Sequence, residues 1–324
     1  MKSLVKKVVV VGVAALANVA YAQGNWPSKP ITFVVPSAPG GSTDFIARQI
    51  SDPLSKALGQ AVIIENRPGG AGNIGAEVAL RNGGDGYTFL VQYSGYHVGN
   101  PALFPGKMRW NPERDYKGVA MLMRAPHVIV VGKGIPVSNL KELIDYGKKK
   151  PQGLSYASSG PGSIQHIAGE VFHEKTKLPM THVAYKGSAP AMTDVISGQV
   201  DVFITTPPTV MGHLQSGNVK VLAYTAPKRH PALPNIPTSA EAGLPGYEVE
   251  SWFALYAPAA TPKPVIDKLS EAVKKVLESD PVRSTVNAQG AYAEYMNPAQ
   301  LDAFTKKELA VWAEVIQTAK IKPE

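Results

Sequence analysis

Cysteine is absent from all 324 residues of this sequence. The chain therefore has no disulfide, no thiolate metal ligand and no cysteine nucleophile. A lipid-modified cysteine after a cleavage site is excluded as well, so we expect an exported product without a lipid anchor. The chemistry open to the chain is that of oxygen, nitrogen and apolar groups.

Dense basic segments are also lacking, although the formal net charge is +8. Basic residues are spread singly, apart from Lys148, Lys149 and Lys150, which have the pattern of a solvated helix end. Because no arginine-rich or aromatic-interleaved stripe accompanies them, the sequence predicts that nucleic acid is not a partner. A modest positive field is compatible with small anionic ligands but favours them only weakly.

A long apolar run occurs only near the N-terminus, from Val8 to about Ala17. Lysines precede it and an Ala-x-Ala cleavage pattern at 20–22 follows it, which indicates a secretory signal peptide too short to be a membrane span. We therefore expect residues 1–22 to be removed. The mature protein should be soluble and periplasmic.

The remaining chain has the composition of a globular protein, with 44% hydrophobic and 18% charged residues. Its length indicates roughly two domains. Apolar strand patterns alternate with helical patterns along it, which predicts an α/β architecture with helices on the faces of the sheets. Ligands of such sheets bind at the carboxyl ends of strands, so the informative loops follow Val35, Glu65 and Gln92.

A strand, a glycine-rich turn and a helix start follow one another at 31–58. Ile31–Val35 has the pattern of a buried strand, the turn contains Gly40 and Gly41, and a helix is predicted from about Thr43 with Gly59 as its C-cap. This arrangement directs free backbone N–H groups and the positive end of the helix dipole at one point, as an anion site requires. An ordinary βα turn has the same local pattern, and the residues alone do not decide between them.

A second unit of the same design begins at Leu154. Its strand leads into the turn Ser158–Ser163 and then into a helix from Ile164, and a further helix start follows Lys186. Several such turns in one chain favour a shared anionic ligand. The loop 93–101 is rich in aromatic and hydrogen-bonding groups, which fits either a ligand wall or a set of core aromatics.

Enzyme and cofactor patterns are weak throughout the chain. The stretch 70–75 matches G-x-G-x-x-G, but Asp85 follows too soon to hold a ribose, so a loop glycine cluster is the better interpretation. His166, Glu170 and His173 share one helix face without the H-E-x-x-H spacing, which favours a surface or interdomain face over a metal site. No G-x-S-x-G elbow is present, and Glu65 has no visible partner as a general base. We therefore predict no enzyme, no cofactor and no metal.

Short motifs from Trp26 to the C-terminal region are specific when taken as a set. They read WPSKPI at 26–31, PGGSTD at 39–44, ENRPG at 65–69, GNIG at 72–75, DGYT at 85–88, NPAL at 100–103, YKG at 185–187, PT at 237–238 and EAG at 241–243. Together they closely resemble the Bug family, the extracytoplasmic receptors of tripartite tricarboxylate transporters.

The resemblance implies a two-domain, type II periplasmic-binding-protein fold with mixed sheets and a cleft between the domains. Domain 1 would comprise residues 23–125 and 251–324, and domain 2, residues 126–250, would be inserted into it. It also implies that backbone N–H groups and ordered water capture a carboxylate, gripped from opposite sides by the turns Gly40–Asp44 and Ser158–Ser163.

The function predicted on this basis is that of a monomeric periplasmic receptor. It would bind a small organic carboxylate by closure of its domains and deliver it to a membrane transporter of the tripartite tricarboxylate type. The alternatives are a secreted hydrolase or isomerase of the same architecture, and a sensor component that presents the ligand to a signalling protein. The expected ligand-binding residues are Gly40, Gly41, Ser42, Thr43, Asp44, Tyr93, His97, Ser158, Ser159, Gly160, Gly162, Ser163, Gly187, Ser188, Phe203 and Thr205.

One departure from the family pattern bears on the ligand class. Relatives often carry Asp-Asn where this chain has Thr205 and Thr206. An acid there would suit a ligand amine or repel a second carboxylate, so its replacement by threonine favours a dicarboxylate or an aromatic carboxylate over an amino acid. Residues that would supply aromatic walls, unless they are core, are Tyr93, Tyr96, Phe203, Trp252 and Phe253.

Overall fold

The computed structural model describes residues 26–81 and 83–318. The predicted signal peptide at 1–22 lies outside the described residues. None of the helices within those two ranges is long and apolar enough to span a membrane.

The described elements alternate between strands and helices, as the sequence predicts. The first part contains β1 (Ile31–Val35), α1 (Ser42–Leu58), β2 (Val62–Asn66), α2 (Asn73–Leu80), β3 (Thr88–Tyr93), α3 (Asn100–Leu103), α4 (Pro112–Asp115) and β4 (Tyr116–Pro126). The middle part contains β5 (Val128–Gly132), α5 (Leu140–Lys149), β6 (Leu154–Ser158), α6 (Ile164–Thr176), β7 (Met180–Ala184), α7 (Ser188–Ser197), β8 (Val202–Thr205), α8 (Met211–Gln215) and β9 (Val219–Tyr224). The last part contains β10 (Glu250–Pro258), α9 (Lys263–Glu278), α10 (Asp280–Ala288), β11 (Tyr292–Ala293) and α11 (Pro298–Thr318).

These strands form two mixed sheets. The first has the order β11-β4-β10-β3-β1-β2, and the second has the order β7-β6-β8-β5-β9. In the first sheet β1 pairs in parallel with β2 and β3, whereas β10 pairs antiparallel with β3 and β4. In the second, β6 is parallel to β7 and β8, and β5 is antiparallel to β8 and β9. The predicted α/β class with two mixed sheets is confirmed.

Two adjacent segments connect the sheets. The chain leaves the first sheet through β4 and returns through β10, which pairs with β4 from Tyr116 to Pro126. Directly beyond β4, the backbone N–H of His127 donates to Val249 O and to Thr225 Oγ1, each at 2.9 Å. Paired connections of this kind allow two lobes, the first sheet and the second sheet each with the helices packed on it, to move as a hinge.

The first helix shows how the sequence pattern produces the packing. Ile46, Ile50 and Leu54 recur at four-residue spacing on α1 and are completely buried in one apolar cluster with β1. Each contributes about 1.5–3 kcal/mol by leaving water. Pro53 lies inside the helix. Gly59 ends it in a left-handed conformation, and its N–H donates to Ser55 O at 3.0 Å, so the predicted C-cap is confirmed.

Candidate functional site

A small cavity, with a volume of about 20 Å³, lies between the two sheets. It is bordered by the carboxyl ends of β1, β3, β6 and β8, which is where an α/β sheet places its ligand. The residues that line it are Ser37, Gly41, Ser42, Thr43, Tyr93, Tyr96, Ser159, Gln165, Gly187, Ser188, Thr206 and Phe253. Among these lining residues there is no Lys, Arg, His, Asp or Glu.

Two helix N-termini face this cavity without a side-chain cap, one from a helix beside the first sheet and one from a helix beside the second. α1 begins after Gly41 and α7 begins after Gly187, and neither glycine has a side chain that could bond the first-turn N–H groups. Those N–H groups have no partner within the helix, and the helix dipole makes them attractive to an anion. α6 differs, because its N-cap Ser163 already accepts from the N–H of His166 at 3.3 Å.

Hydroxyl groups join the two sides of the cleft. Ser42 Oγ, on α1, is hydrogen-bonded to Thr206 Oγ1 at 2.6 Å and to Thr209 Oγ1 at 3.1 Å. On the other flank, the Tyr93 hydroxyl accepts from the N–H of Ile164 at 2.9 Å. The Tyr96 hydroxyl donates to Ser159 O at 2.7 Å. The structure therefore has the two lobes in direct contact around the cavity.

Burial keeps the tyrosine hydroxyls of this site protonated. It raises the pKa of Tyr96 to about 12 and also raises the pKa of Tyr93. Both side chains are therefore neutral at physiological pH, and the cavity lining has neutral hydroxyls and amides beside the helix N-termini. Such a lining offers hydrogen-bond donors to an anion without supplying a compensating cation.

Gln165 is a central polar group of the site that sequence reasoning missed. Its Oε1 accepts from the Tyr93 hydroxyl and from Ser159 Oγ, each at 2.8 Å. Its Nε2 donates to Ser188 Oγ at 3.1 Å. The side chain thereby links β3, the turn after β6 and the start of α7. An amide in the first turn of a helix carries no sequence signal for this role.

Ser37 was missed as well. It follows β1, is 7% exposed and lines the cavity, and its Oγ has no hydrogen-bond partner among the described residues. A hydroxyl in this state is available to a ligand, since leaving a buried polar group unbonded costs about 1–3 kcal/mol. Its place between Pro36 and Pro39 in the predicted turn was the available signal.

The predicted site residues separate into two groups. Those that line the cavity are Gly41, Ser42, Thr43, Tyr93, Ser159, Gly187 and Ser188. Of the predicted aromatic walls, Tyr96 and Phe253 also line it, whereas Phe203 and Trp252 pack in apolar clusters on the sheets. Thr205 is completely buried with Oγ1 3.5 Å from Gln165 Nε2, and its neighbour Thr206 reaches the cavity instead.

The other predicted residues of the second turn have structural contacts. Ser158 Oγ is hydrogen-bonded to His182 Nε2 at 2.6 Å, and Gly162 packs against the Leu103 side chain. Gly160 borders a groove outside the cavity. The turn after β6 therefore contributes Ser159 to the cavity, and its neighbours support it.

Asp44 stabilises the first turn through hydrogen bonds. Its carboxylate is 3% exposed and accepts from the N–H of Gly40 at 3.0 Å, from Arg48 Nε at 2.9 Å and from Asn66 Nδ2 at 2.9 Å. Burial by itself raises the pKa of Asp44, but the hydrogen bonds from Arg48, Gly40 and Asn66 outweigh it and hold the pKa below its usual value. The carboxylate is thus charged and fixes the turn, and Asp44 is not among the residues that line the cavity.

His97 belongs to an aromatic cluster in the first lobe. It lies in the π-helical turn Gly95–Gly99, is completely buried and stacks on Tyr256 with ring centroids 4.0 Å apart. Neither ring nitrogen has a hydrogen-bond partner among the described residues. Burial lowers the pKa of His97 to about 3, so the imidazole is neutral.

His97→Phe is expected to reduce the loss of stability in acid. In the unfolded chain this histidine binds a proton below about pH 6.5, whereas in the folded protein it does so only near pH 3. Acidification between these two values therefore favours the unfolded state. Between pH 6.5 and pH 5 the free energy of unfolding falls by about 2 kcal/mol. His127, whose pKa burial also lowers to about 3, keeps its share in the variant. Urea unfolding of both proteins at several pH values measures this, and a stability difference that does not change with pH would contradict it.

The residues of the candidate metal and dinucleotide patterns make structural contacts instead. His166 stacks on His182 with centroids 3.9 Å apart, and Tyr156 donates its hydroxyl to Glu170 at 2.5 Å. The described residues contain no group of three or more His, Asp or Glu arranged for a metal ion. The stretch Gly70–Gly72 is a short 3-10 turn, and it packs against Tyr96.

Comparisons with known proteins agree with the sequence motifs. A family model described as the tripartite tricarboxylate transporter family receptor matches residues 46–321. Protein BugT of Bordetella pertussis is 33% identical over 299 residues, which are 92% of each chain.

Solved structures show the same fold. A Rhodopseudomonas palustris protein solved with adipate superposes with a TM-score of 0.88 at 37% identity, covering 92% of this chain and 100% of its own. MatC of the same organism, with bound malate, gives a TM-score of 0.83 at 33% identity, covering 90% and 100%. On the family match and on these similarities, the chain belongs to the family of tripartite tricarboxylate transporter receptors, the Bug family that its motifs resemble.

Proposed function

We propose that this protein is a periplasmic receptor for a small organic carboxylate. The observation that carries the proposal is the pair of glycine-capped helix N-termini, from α1 and α7, that face one uncharged cavity from opposite sheets. A carboxylate between them would meet N–H donors and a positive dipole end on both sides. The adipate and malate bound to the two structural relatives support the same ligand class.

The helix dipoles alone are too weak to account for micromolar binding of a carboxylate. Each helix N-terminus contributes about 0.3–2 kcal/mol to anion binding, whereas micromolar affinity needs roughly 8 kcal/mol. Hydroxyl donors such as Ser37 and apolar contact with Tyr93, Tyr96 and Phe253 would supply the remainder, together with exclusion of water on closure. Closure would bring residues 23–125 and 251–324 against residues 126–250, the two proposed domains.

A dicarboxylate or an aromatic carboxylate fits the lining better than an amino acid does. An ammonium group favours a carboxylate partner, and the cavity lining contains none. Thr205, completely buried beside Gln165, occupies the place where an acid would have repelled a second ligand carboxylate, and its neighbour Thr206 gives the cavity a neutral hydroxyl. The same lining lacks a histidine or carboxylate that could act as a general base, which supports a receptor without catalytic activity.

The proposed setting is the periplasm. The N-terminal signal would direct export of a monomer without a lipid anchor, and the ligand would pass to the membrane subunits of a tripartite tricarboxylate transporter. The family match supports this partner.

A thermal-shift screen of residues 23–324 tests the proposal. Mono-, di- and aromatic carboxylates and amino acids are each added at a large excess. A ligand present at about a hundred times its Kd stabilises the folded state by roughly 2.7 kcal/mol and raises the melting temperature. We expect shifts with dicarboxylates or aromatic acids. Shifts with amino acids alone would contradict the ligand class, and turnover of a bound carboxylate would contradict the receptor.

A further inference from the structure

An outer groove lies beside the inner cavity. Its volume is about 600 Å³, and it is bordered by the loop Gly69–Ile74 on one lobe and by Tyr185 and Lys186 on the other. Two residues, Tyr96 and Ser159, line both the groove and the inner cavity. The two spaces therefore meet at this pair, and whatever separates them is formed there.

The Tyr96 side chain forms that separation. It is 3% exposed, and its hydroxyl spans the cleft to donate to Ser159 O at 2.7 Å. Its ring packs edge-on against Tyr93, with centroids 5.0 Å apart and planes at 90°. On this side the inner cavity ends at a ring that is held at its edge and at its hydroxyl.

The glycine turn before α2 holds the opposite side of the ring. A Cβ at Gly72 would lie 2.3 Å from Tyr96 Cδ2, so only glycine allows the backbone to approach this closely. Gly72 also has φ +80°, in the left-handed region that favours glycine. This is a role for the G-x-G-x-x-G stretch that requires no nucleotide.

Amide side chains fix the turn in place. Asn73 Oδ1 accepts from Trp110 Nε1 at 2.8 Å, and Asn73 Nδ2 donates to Gly70 O at 2.8 Å. Asn100 Nδ2 donates to Ala71 O at 2.8 Å. Tyr96 thus packs on a turn that is itself anchored to α3 and to the segment before α4, which makes the ring position a property of the fold.

We propose that Tyr96 sets the length of ligand that the receptor accepts. With the ring in place, the distal end of a ligand must fit within the inner cavity, which has a volume of only about 20 Å³ while the lobes are in contact. Without it, the inner cavity opens into the outer groove, which would serve as a second subsite for the distal anion of a longer dicarboxylate. This inference rests on the proposed carboxylate function.

The groove has the charge that such a subsite needs. Arg109 and Lys186 line it from the two lobes and are exposed, and Glu77 is the acidic residue on its wall. The described lining of the inner cavity has no charged residue, so Arg109 and Lys186 would become available to a ligand that extends beyond Tyr96. A second carboxylate that reaches the groove would gain a charge-assisted contact of the kind that the inner cavity lacks.

The test compares the wild type with Tyr96→Ala and Tyr96→Phe against linear dicarboxylates from succinate to sebacate, by calorimetry. Tyr96→Ala is expected to gain about tenfold in affinity for the longest diacids relative to succinate, which corresponds to about 1.4 kcal/mol. Tyr96→Phe keeps the ring and loses only the hydroxyl, so its relative preference among chain lengths should match that of the wild type. Adding Lys186→Gln and Arg109→Gln to Tyr96→Ala should reduce the gain severalfold.

The outcomes separate this inference from the function on which it rests. If the wild type binds dicarboxylates but Tyr96→Ala has the same preference among lengths, the role of Tyr96 is wrong and the receptor stands. If no carboxylate binds the wild type, the proposed function falls as well. If Tyr96→Ala shows no cooperative unfolding transition, Tyr96→Leu replaces it in the test. Leucine keeps an apolar side chain beside Gly72 but cannot reach Ser159. An unchanged preference among chain lengths in Tyr96→Leu would overturn the inference.

Discussion

Ser42→Asp is expected to lower the affinity for the best dicarboxylate by at least about a hundredfold. Ser42 is the first residue of α1, is 4% exposed and lines the cavity. An aspartate there would place a negative charge at the helix start that is proposed to receive the ligand carboxylate. Like charges brought together in a binding site cost several kcal/mol, and each 1.4 kcal/mol is tenfold in affinity.

The fold should tolerate this change, because acidic residues are favourable in the first turn of a helix. Ser42→Asn is the matched control, since it has nearly the same shape as the aspartate without the charge. Both variants replace the Ser42 hydroxyl that bonds Thr206 and Thr209, so the difference between them isolates the charge. Calorimetry with the same diacid measures it, and equal losses in the two variants would show that the site does not depend on charge at α1.

Asp44→Asn is expected to destabilise the protein by about 2–4 kcal/mol at neutral pH. The carboxylate accepts hydrogen bonds from Gly40, Arg48 and Asn66, and an amide has one acceptor oxygen and a nitrogen that cannot accept. Loss of a buried hydrogen-bonded charge costs about 3–5 kcal/mol, and we discount this because the Arg48 side chain is 52% exposed. Since the same bonds hold the turn before α1, ligand affinity should fall as well.

The pH dependence gives this prediction a second measurement. The folded pKa of Asp44 lies below its usual value, so its contribution to stability is present above about pH 4 and is lost as the pH falls through the folded pKa. The wild type should therefore lose more stability than Asp44→Asn does in this acidic range. Asp85→Asn is the control, because Asp85 pairs with Lys29 at an exposed site and should cost no more than about 1 kcal/mol. Equal effects of the two substitutions would contradict the role of Asp44.

Local sequence signals were sufficient for the scaffold around the site. The apolar run Ile31–Val35 is β1, and the helix predicted from about Thr43 begins at Ser42 and ends at the predicted Gly59 cap. These features depend on neighbours a few residues apart, where strand propensity, helical spacing and glycine geometry act directly. For the same reason the sequence alone was enough to select Gly41 and Gly187 as turn residues.

Side-chain direction could not be predicted in the same way. Asp44 and His97 have the chemistry of ligand contacts, yet one stabilises a turn through hydrogen bonds and the other stacks on Tyr256 in the first lobe. Ser37 and Gln165 have no distinctive pattern, yet both line the cavity. Which way a polar residue faces depends on the packing of distant elements, and no spacing rule within one segment encodes it.

By itself the sequence determined the α/β class, the family and the glycine turns that present backbone N–H groups, because each depends on short-range pattern or on motifs read as a set. Only the tertiary structure decided which of those turns face one cavity, that Gln165 links them, and that Tyr96 divides the cavity from a groove. The physical reason is that residues far apart in the chain form these contacts. Tyr96 reaches Ser159 and Ser42 reaches Thr206 only after two sheets, joined through β4 and β10, have been brought together.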